Sequence, residues 1–299
     1  MINLPVQNGT LSVLVLLTVA SVLNLPFPAQ ARTAPTANST PNSIPNSIDP
    51  VSERSLSDRL KFSIAQRSEF TPLNVKLPTD GGKPTRRRST GRRGLCSKLE
   101  KPLIALVPPA QDSLNEGTEP DLIDALGRTT QSSPVFWFYV PQLPAGVRQA
   151  EFRLLNDNGD DILTKRVLID LPETPGIFGL SLPPTREPLQ LNQTYQWSVS
   201  IQCDPDKPST NPTVVAWIER VDPGTALSER LAQATDRERL HLYAEHGLWH
   251  ETLTLLAQLR RNALEDRALA EVWTQLLNDV GLDDIATDLN VPYYFVPQE

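Results

Sequence analysis

The residues of this sequence best suited to metal or acid–base chemistry lie in one short stretch: His241, His246 and His250. His246 and His250 are four residues apart, a spacing that puts two zinc ligands on one helix face, and Glu245 and Glu251 stand beside them. However, Gly247 falls between the two histidines and favours a helix end there, and the HExxH motif is missing. A weak metal site is one interpretation, but we expect solvated histidines at helix ends and no metal site.

Three other stretches resemble ligand-binding loops in composition but not in spacing. The acidic run NDNGDD (156–161) is suited to calcium, yet it lacks the EF-hand frame, so we expect a solvated hairpin tip. GGKPT (81–85) lacks the upstream glycine and the Ser/Thr of a phosphate-binding loop. CDPDKPSTNP (203–212) is a long polar loop that either binds a partner or only connects two strands. We therefore predict no catalytic residues and no cofactor.

A run of arginines precedes one of the two cysteines in RRRSTGRRGLC (86–96). The net charge of the chain is −7, so no general basic field favours nucleic acid, and no stacking aromatics lie in the run. The run is either a solvated tether or an anion-facing arm for lipid headgroups, acidic polysaccharide or an acidic protein. The candidate anion-binding residues are Arg86, Arg87, Arg88, Arg92 and Arg93.

The beginning of the chain is typical of an export signal. An apolar run at 11–23 is followed by the cleavage motif AQA (29–31), although no Lys or Arg precedes the run. We expect a signal peptide at 1–31, cleaved near Ala31, and a periplasmic or extracellular protein. An uncleaved anchor is the alternative, but the apolar run is shorter than the ~20 residues of a membrane span.

The two cysteines, Cys96 and Cys203, fit an oxidising compartment and predict a disulfide. In the chain-entropy model, a bond that closes a loop of about 100 residues stabilises the fold by roughly 4–5 kcal/mol. Two buried free thiols are the alternative interpretation. Metal binding requires more ligands at close spacing, and neither cysteine has them.

Composition divides the rest of the chain into four segments. Residues 32–93 are rich in Pro, Ser and Arg and cannot bury enough apolar surface to offset ordering entropy, so we predict a disordered linker. Residues 94–222 contain short apolar strands separated by Pro, Gly and Asn turns, which is typical of an antiparallel β-sandwich. Residues 223–291 have helical periodicity and predict a helical domain, and 292–299 form a tail.

One detail indicates that the sandwich is immunoglobulin-like. In LQLNQTYQW (189–197), Tyr195 stands where such folds have a tyrosine whose hydroxyl bonds to nearby backbone. The same strand places Trp197, Val199 and Ile201 on one face with Tyr195. The stretch 149–171 predicts a hairpin that turns at DNG.

About three helices are expected after residue 223. Thr235 and Glu238 form a capping box that begins one helix, and Gly247 ends it. A second helix begins near Trp249, and a third contains LAEVWTQLLNDVGL. The stretch YAEHGLWHETL resembles one tetratricopeptide hairpin. One repeat is not an array, so it implies packing of two helices and nothing about peptide binding.

The order of these motifs resembles that of one bacterial family. The segments are TGRRGLC, LIALVPP, PVFWFYVP, EFRLLNDNGDDI, TPGIFGLSLP, YQWSVSIQCDPDKPSTNPTVVAWIERV and LYAEHGLWHETLTLLAQL. Together they resemble the family known as domain of unknown function nine-two-eight, from about Arg87 to Leu289. The resemblance implies an exported, mainly cyanobacterial protein, and it implies no activity, cofactor or catalytic residue.

We therefore expect a mixed fold: an immunoglobulin-like antiparallel β-sandwich followed by a small C-terminal α-helical bundle, with a disordered N-terminal region. The expected function is that of a non-catalytic exported envelope protein that binds or assembles with a protein or glycan partner. No nucleic-acid partner is expected, and membrane contact is expected only if the N-terminal segment stays uncleaved. A self-associating surface protein and an enzyme of unrecognised type are the alternatives.

Overall fold

Short apolar stretches bounded by Pro, Gly and Asn form β-strands, and the amphipathic stretches after residue 223 form helices. The structure, a computed structural model, describes residues 71–79, 83–89, 94–111, 123–163, 167–182, 189–286 and 293–297. The strands are β1 (Lys83–Thr85), β2 (Ile104–Ala105), β3 (Ile123–Ala125), β4 (Gly127–Thr129), β5 (Val135–Val140), β6 (Gln149–Leu155), β7 (Val167–Asp170), β8 (Gly176–Ser181), β9 (Gln193–Ile201), β10 (Thr213–Arg220) and β11 (Tyr293–Pro297). The helices are α1 (Gly224–Gln233), α2 (Asp236–Glu245), α3 (Trp249–Asn262), α4 (Arg267–Asp279) and α5 (Asp283–Ala286).

One sheet has the strand order β4-β10-β9-β6-β7. Its neighbouring strands are antiparallel, except that β4 is parallel to β10. The predicted hairpin at 149–171 is confirmed as β6 and β7. Because successive side chains of a strand point to opposite faces, every second residue of β9 is buried, namely Tyr195, Trp197, Val199 and Ile201.

The other large sheet has the order β11-β8-β5-β2, and its middle strands are buried on both faces. Phe136 and Phe138 of β5 join a core with the five-stranded sheet, whereas Trp137 and Tyr139 pack against the helices. Gly179 of β8 lies opposite Trp137, and a Cβ atom there would come within 2.9 Å of the indole. Burial on both faces explains why PVFWFYVP is continuously apolar.

The helices form a layer on the outer face of this second sheet. Leu253 of α3 and Trp273 of α4 share one apolar core with Trp137 of β5. The segments predicted as a strand domain and a separate helical domain both lie in one compact unit, Leu56–Glu299. The physical reason is that the second sheet has a further apolar face, which must be buried against another layer.

The predicted helix ends agree with the structure. Thr235 and Glu238 form the capping box at the start of α2, and Gly247 has a positive φ of 69° just after its end. A Cβ atom on Gly247 would also meet the carbonyl oxygen of Lys76 at 2.9 Å. In the part of the chain that the structure describes, no helix is long and apolar enough to cross a membrane.

Part of the predicted linker is folded. Residues 71–79 pack along the helices, where Leu73 is buried and the Lys76 N–H donates to the Ala244 carbonyl (3.0 Å). Residues 83–85 form β1, which pairs with β3. The segment predicted as a disordered linker to residue 93 therefore includes these ordered residues. They are ordered by backbone hydrogen bonds to other elements, which composition does not report.

The predicted tail also contains regular structure. Residues Tyr293–Pro297 form β11, which runs parallel to β8 at the edge of the second sheet. The edge of β8 presents backbone N–H and C=O groups that a further strand can pair. The stretch YYFVP supplies the β-branched and aromatic residues that favour such a strand.

Candidate functional site

The arginine segment, residues 86–89, joins the two large sheets. Arg86 and Val215 exchange two backbone hydrogen bonds of 3.0 and 2.9 Å. The N–H of Ala105 donates to the carbonyl of Arg87 at 2.8 Å. Val215 belongs to β10 and Ala105 belongs to β2, so a single extended segment bridges one sheet to the other.

The five arginines predicted to bind anions do not form one surface. Arg86 is exposed, but Arg87 is only 3% exposed, and Arg88 is held in an ion pair. Arg92 and Arg93 lie outside the described residues. Because alternate residues of an extended segment face opposite ways, consecutive arginines cannot all face solvent. Arg87 and Arg88 are thus engaged within the fold, and anion binding stays a prediction for Arg86, Arg92 and Arg93.

Arg88 binds Asp284 of α5 with both ends of its guanidinium group. Nη1 donates to Oδ2 at 2.6 Å, and Nη2 donates to Oδ1 at 2.9 Å. Burial raises the pKa of Asp284, but the hydrogen bonds and charge of Arg88 and the charge of Lys101 outweigh it and hold the pKa below its ordinary value. The arginine segment is thereby attached to the helix layer as well as to both sheets.

The predicted disulfide between Cys96 and Cys203 is confirmed, with 6.1 Å between the Cα atoms. The polar loop that follows Cys203 is held by its own hydrogen bonds. Asn211 Oδ1 accepts from the N–H groups of Cys203 and Asp204, each at 3.0 Å. This internal bonding favours the interpretation of CDPDKPSTNP as a connector that braces the disulfide.

The acidic run NDNGDD forms the exposed turn between β6 and β7. Asn156 Oδ1 accepts from the N–H groups of Asn158 (3.0 Å) and Asp160 (2.9 Å), as in a turn closed by its own side chain. Asp157 forms an ion pair with Lys83. Among the described residues, no group of three or more His, Cys, Asp or Glu side chains is arranged to hold a metal ion.

The expectation of solvated histidines is wrong for His250. His246 is exposed, and its Nδ1 lies 2.8 Å from the Leu242 carbonyl oxygen. His250, in contrast, is 2% exposed, and its Nδ1 donates to the Val135 carbonyl at 2.9 Å. Burial lowers the pKa of His250 to about 4, so the ring is neutral at neutral pH. The helix layer buries this ring against the second sheet, which helix periodicity alone does not reveal.

His250 and its neighbour Glu251 line a cavity of about 420 Å³ between the helix layer and the segment that joins β4 to β5. We call it the Glu251 cavity. It is lined by Thr129, Gln131, Ser133, Pro134, Val135, Asp236, Arg239, Tyr243, His250, Glu251, Thr254, Leu255 and Gln258.

Glu251 is the central polar group of the cavity floor and is 7% exposed. Its Oε1 accepts three hydrogen bonds: from Thr129 Oγ1 (2.9 Å), the Thr130 N–H (2.7 Å) and Thr130 Oγ1 (2.9 Å). Its Oε2 is buried and has no hydrogen-bond partner among the residues that the structure describes. Glu251 lies in the first turn of α3, where the helix N-terminus stabilises a carboxylate. Three hydrogen bonds to Oε1 thus fix the carboxylate, and Oε2 can still accept a hydrogen bond from a ligand.

The second nitrogen of His250 is closed off by the neighbouring backbone. A Cβ atom on Gly127 would lie 2.5 Å from Nε2 of His250, so only glycine fits at this position of β4. Nε2 is buried, and no described residue offers it a hydrogen bond. The imidazole therefore supports the floor of the cavity and does not present a free base to it.

The rim of the cavity is polar and reaches solvent. Gln131 and Gln258 are exposed, and their side-chain amides have no hydrogen-bond partner within the described part of the chain. Arg239 Nη1 donates to Asp236 Oδ1 at 3.3 Å. Burial and the charge of Glu251 raise the pKa of Tyr243, which keeps its phenol protonated. The rim can therefore both donate and accept hydrogen bonds.

Little in the sequence points to this site. From the sequence, Glu251 is a candidate only as a metal ligand, and none of the other residues of the cavity apart from His250 is a candidate for function. The lining comes from two stretches about a hundred residues apart, 129–135 and 236–258. The polar run TTQSS at 129–133, directly before a wholly apolar strand, is the one signal available.

Comparison with known proteins places the chain in a family. No curated protein and no solved structure matches it. The family described as Domain of Unknown Function (DUF928) matches residues 88–289, a range that includes the Glu251 cavity and the disulfide. Since the match covers about two-thirds of the sequence and agrees with the order of its motifs, the chain belongs to the DUF928 family.

Proposed function

We propose that this protein is a non-catalytic, exported module of the cell envelope that binds a protein or glycan partner at the Glu251 cavity. The observation that carries the proposal is the polar character of the cavity. In the described part of the chain, its floor contains a buried carboxylate oxygen without a hydrogen-bond partner, and its rim contains two exposed amides without one. Cavities of ~300–1,000 Å³ with a few placed polar groups are typical ligand sites.

The chemistry of the floor supports binding in preference to catalysis. A general base needs a lone pair within reach of a substrate proton and a pKa near the working pH. His250 has a pKa of about 4, and Gly127 covers its free nitrogen. Oε1 of Glu251 already accepts three hydrogen bonds. This favours a role for Glu251 in orienting a bound ligand over a role as a general base.

Export is supported by the sequence of the first 31 residues and by the disulfide, since disulfides persist in oxidising compartments. Intact-mass spectrometry of the natural protein, without reducing agent, tests this part of the proposal. We expect a chain that begins at Arg32 and is lighter by the two hydrogens of an oxidised cysteine pair. A chain that retains Met1 and has free thiols would overturn the export argument.

We further infer that the two large sheets form an immunoglobulin-like sandwich. The order β2-β5-β8 in one sheet and β6-β9-β10 in the other corresponds to strands A-B-E and C-F-G of that fold. The N–H of Gln190 donates to the Tyr195 hydroxyl at 2.9 Å, as the tyrosine corner of such folds requires. An experimental structure in which β6 and β9 are not neighbours would contradict this assignment.

Binding at the cavity is tested with the mature protein immobilised on a resin. An envelope extract is divided into a protein fraction and a deproteinised glycan fraction, and each is passed over wild type and over Gln258→Trp. The indole fills the rim from an exposed helix position, so the fold should be unaffected. We expect one fraction to contain a component that wild type retains and Gln258→Trp does not. Identical retention by both proteins would count against the cavity as the binding site.

A further inference from the structure

We propose that the Glu251 cavity binds a neutral, hydroxyl-rich saccharide. The inference rests on the proposed function, because it names the ligand class of the same cavity. Three properties of the lining carry it: its mixture of donors and acceptors, its balance of charge, and an apolar patch beside the polar groups.

The lining offers hydrogen-bond donors and acceptors together. Oε2 of Glu251 can only accept, whereas the amides of Gln131 and Gln258 each donate and accept. A saccharide hydroxyl also does both, and two neighbouring hydroxyls on a sugar ring match the two ends of a side-chain amide. An ammonium group only donates, and a phosphate dianion only accepts. Either would leave part of the lining unpaired, which weakens binding.

The charge of the cavity disfavours anions and gives little advantage to cations. Arg239 offsets the charge of Asp236, to which it donates a hydrogen bond, and His250 is neutral. The remaining charge is that of Glu251, and three hydrogen bonds already stabilise it. A phosphate or carboxylate ligand would be repelled by this group. A cation would pair with Oε2 of Glu251 but would leave the N–H groups of the rim amides without an acceptor.

Tyr243 and Leu255 add apolar surface beside the polar groups, and both are half-buried. One face of a pyranose ring carries mostly C–H groups, and it packs well on an aromatic or aliphatic side chain while the hydroxyls point outward. Tyr243 combines such a surface with a polar tip. The cavity of about 420 Å³ is suited to a small saccharide, and the exposed rim at Gln131 and Gln258 lets a longer glycan continue into solvent.

The test is isothermal titration calorimetry on the mature protein with defined probes. The neutral probes are maltose, cellobiose, N,N′-diacetylchitobiose and the neutral oligosaccharides released from the envelope. Spermidine and glucose 6-phosphate are the cationic and anionic probes. We expect at least one neutral saccharide to bind and neither charged probe to bind at the cavity.

Two variants at the rim connect binding to the cavity. Gln258→Leu and Gln131→Leu each remove an amide without shortening the side chain greatly, and each should weaken saccharide binding about tenfold. Both positions are exposed, so circular dichroism should show an intact fold. Gln233→Leu is the matched control, because Gln233 is an exposed glutamine at the end of α1 that does not line the cavity. The Gln233→Leu variant should bind the saccharide with the affinity of wild type.

The outcomes separate this inference from the proposed function. Failure of every neutral saccharide to bind, or unchanged binding by both rim variants, would overturn the saccharide assignment. Binding of spermidine that Gln258→Leu weakens would also overturn it, while the cavity would remain a binding site. If no probe binds and no envelope fraction is retained through the cavity, the proposed function fails as well.

Discussion

Arg88 and Asp284, which are 196 positions apart in the sequence, form a bidentate ion pair. Arg88 lies in the extended segment that bridges the two sheets, and Asp284 lies in the first turn of α5, in the helix layer that covers one of them. The pair is partly buried, with 17% of the Arg88 side chain exposed. It therefore connects three parts of the fold at a place where solvent screens it only weakly.

Arg88→Ser should lower the free energy of unfolding by about 2 kcal/mol, because it leaves Asp284 partly buried without its partner. Arg86→Ser is the matched control, since Arg86 is exposed and its backbone bonds to Val215 do not depend on its side chain. That control should stay within about 0.5 kcal/mol of wild type. Urea denaturation measures both, and equal losses in the two variants would contradict this role of Arg88.

Stability should fall as the pH is lowered from about 6.5 to about 4. His250 has a pKa of about 4 in the folded protein against an ordinary 6.5. Between these values the unfolded chain binds a proton that the folded protein does not, so unfolding becomes easier as pH falls, by an amount on the order of 3 kcal/mol. Asp284 acts below this window: its pKa is lowered, so its contribution is present above the ordinary 3.8 and is lost as pH falls further.

His250→Asn should remove most of the slope between pH 6.5 and 4, since asparagine keeps a donor for the Val135 carbonyl and does not titrate. His246→Asn is the control, because His246 is exposed, and it should retain the slope of wild type. Denaturation curves at several pH values provide the measurement. A wild-type slope in His250→Asn would show that another group causes the effect.

Gly127→Ala should destabilise the protein by about 2 kcal/mol, because the new methyl group meets Nε2 of His250 at 2.5 Å. In a His250→Ala background the same change should cost much less, giving a coupling of about 1 kcal/mol or more in a double-mutant cycle. At Gly146 a Cβ atom meets nothing within 4 Å, so any cost of Gly146→Ala arises from its positive φ. The cost of Gly146→Ala should be equal in wild type and in His250→Ala. If the effects of Gly127→Ala and His250→Ala simply add, the contact between the new methyl group and the imidazole is contradicted.

Loss of the disulfide should lower stability by about 4 kcal/mol in the chain-entropy model, because the bond closes a loop spanning 107 positions. Cys203→Ser and Cys96→Ser should have the same effect, and the double variant should be no less stable than either. Reduction of wild type with dithiothreitol provides an independent measurement. A single variant as stable as oxidised wild type would show that the bond does not constrain the chain.

Much of the local structure was accessible from the residues alone. The alternation in β9 identified its buried face, and Thr235 with Glu238 marked the start of α2. The disulfide was accessible too, because two cysteines allow a single intramolecular pairing. The strand face and the helix start depend on residues close together in sequence, and the disulfide depends only on the number of cysteines. The sequence alone is therefore enough to predict them.

The sequence by itself determined the longer strands, the ends of α2 and the cysteine pair, whereas the tertiary structure decided which faces meet and added the short strands β1 and β11. It buried His250 against Gly127, placed Arg87 inside the fold, and packed the helices on a sheet from which the sequence pattern separates them. The Glu251 cavity arises in the same way, from stretches about a hundred residues apart. The physical reason is that periodicity tells which side of an element is apolar but not which distant element covers it.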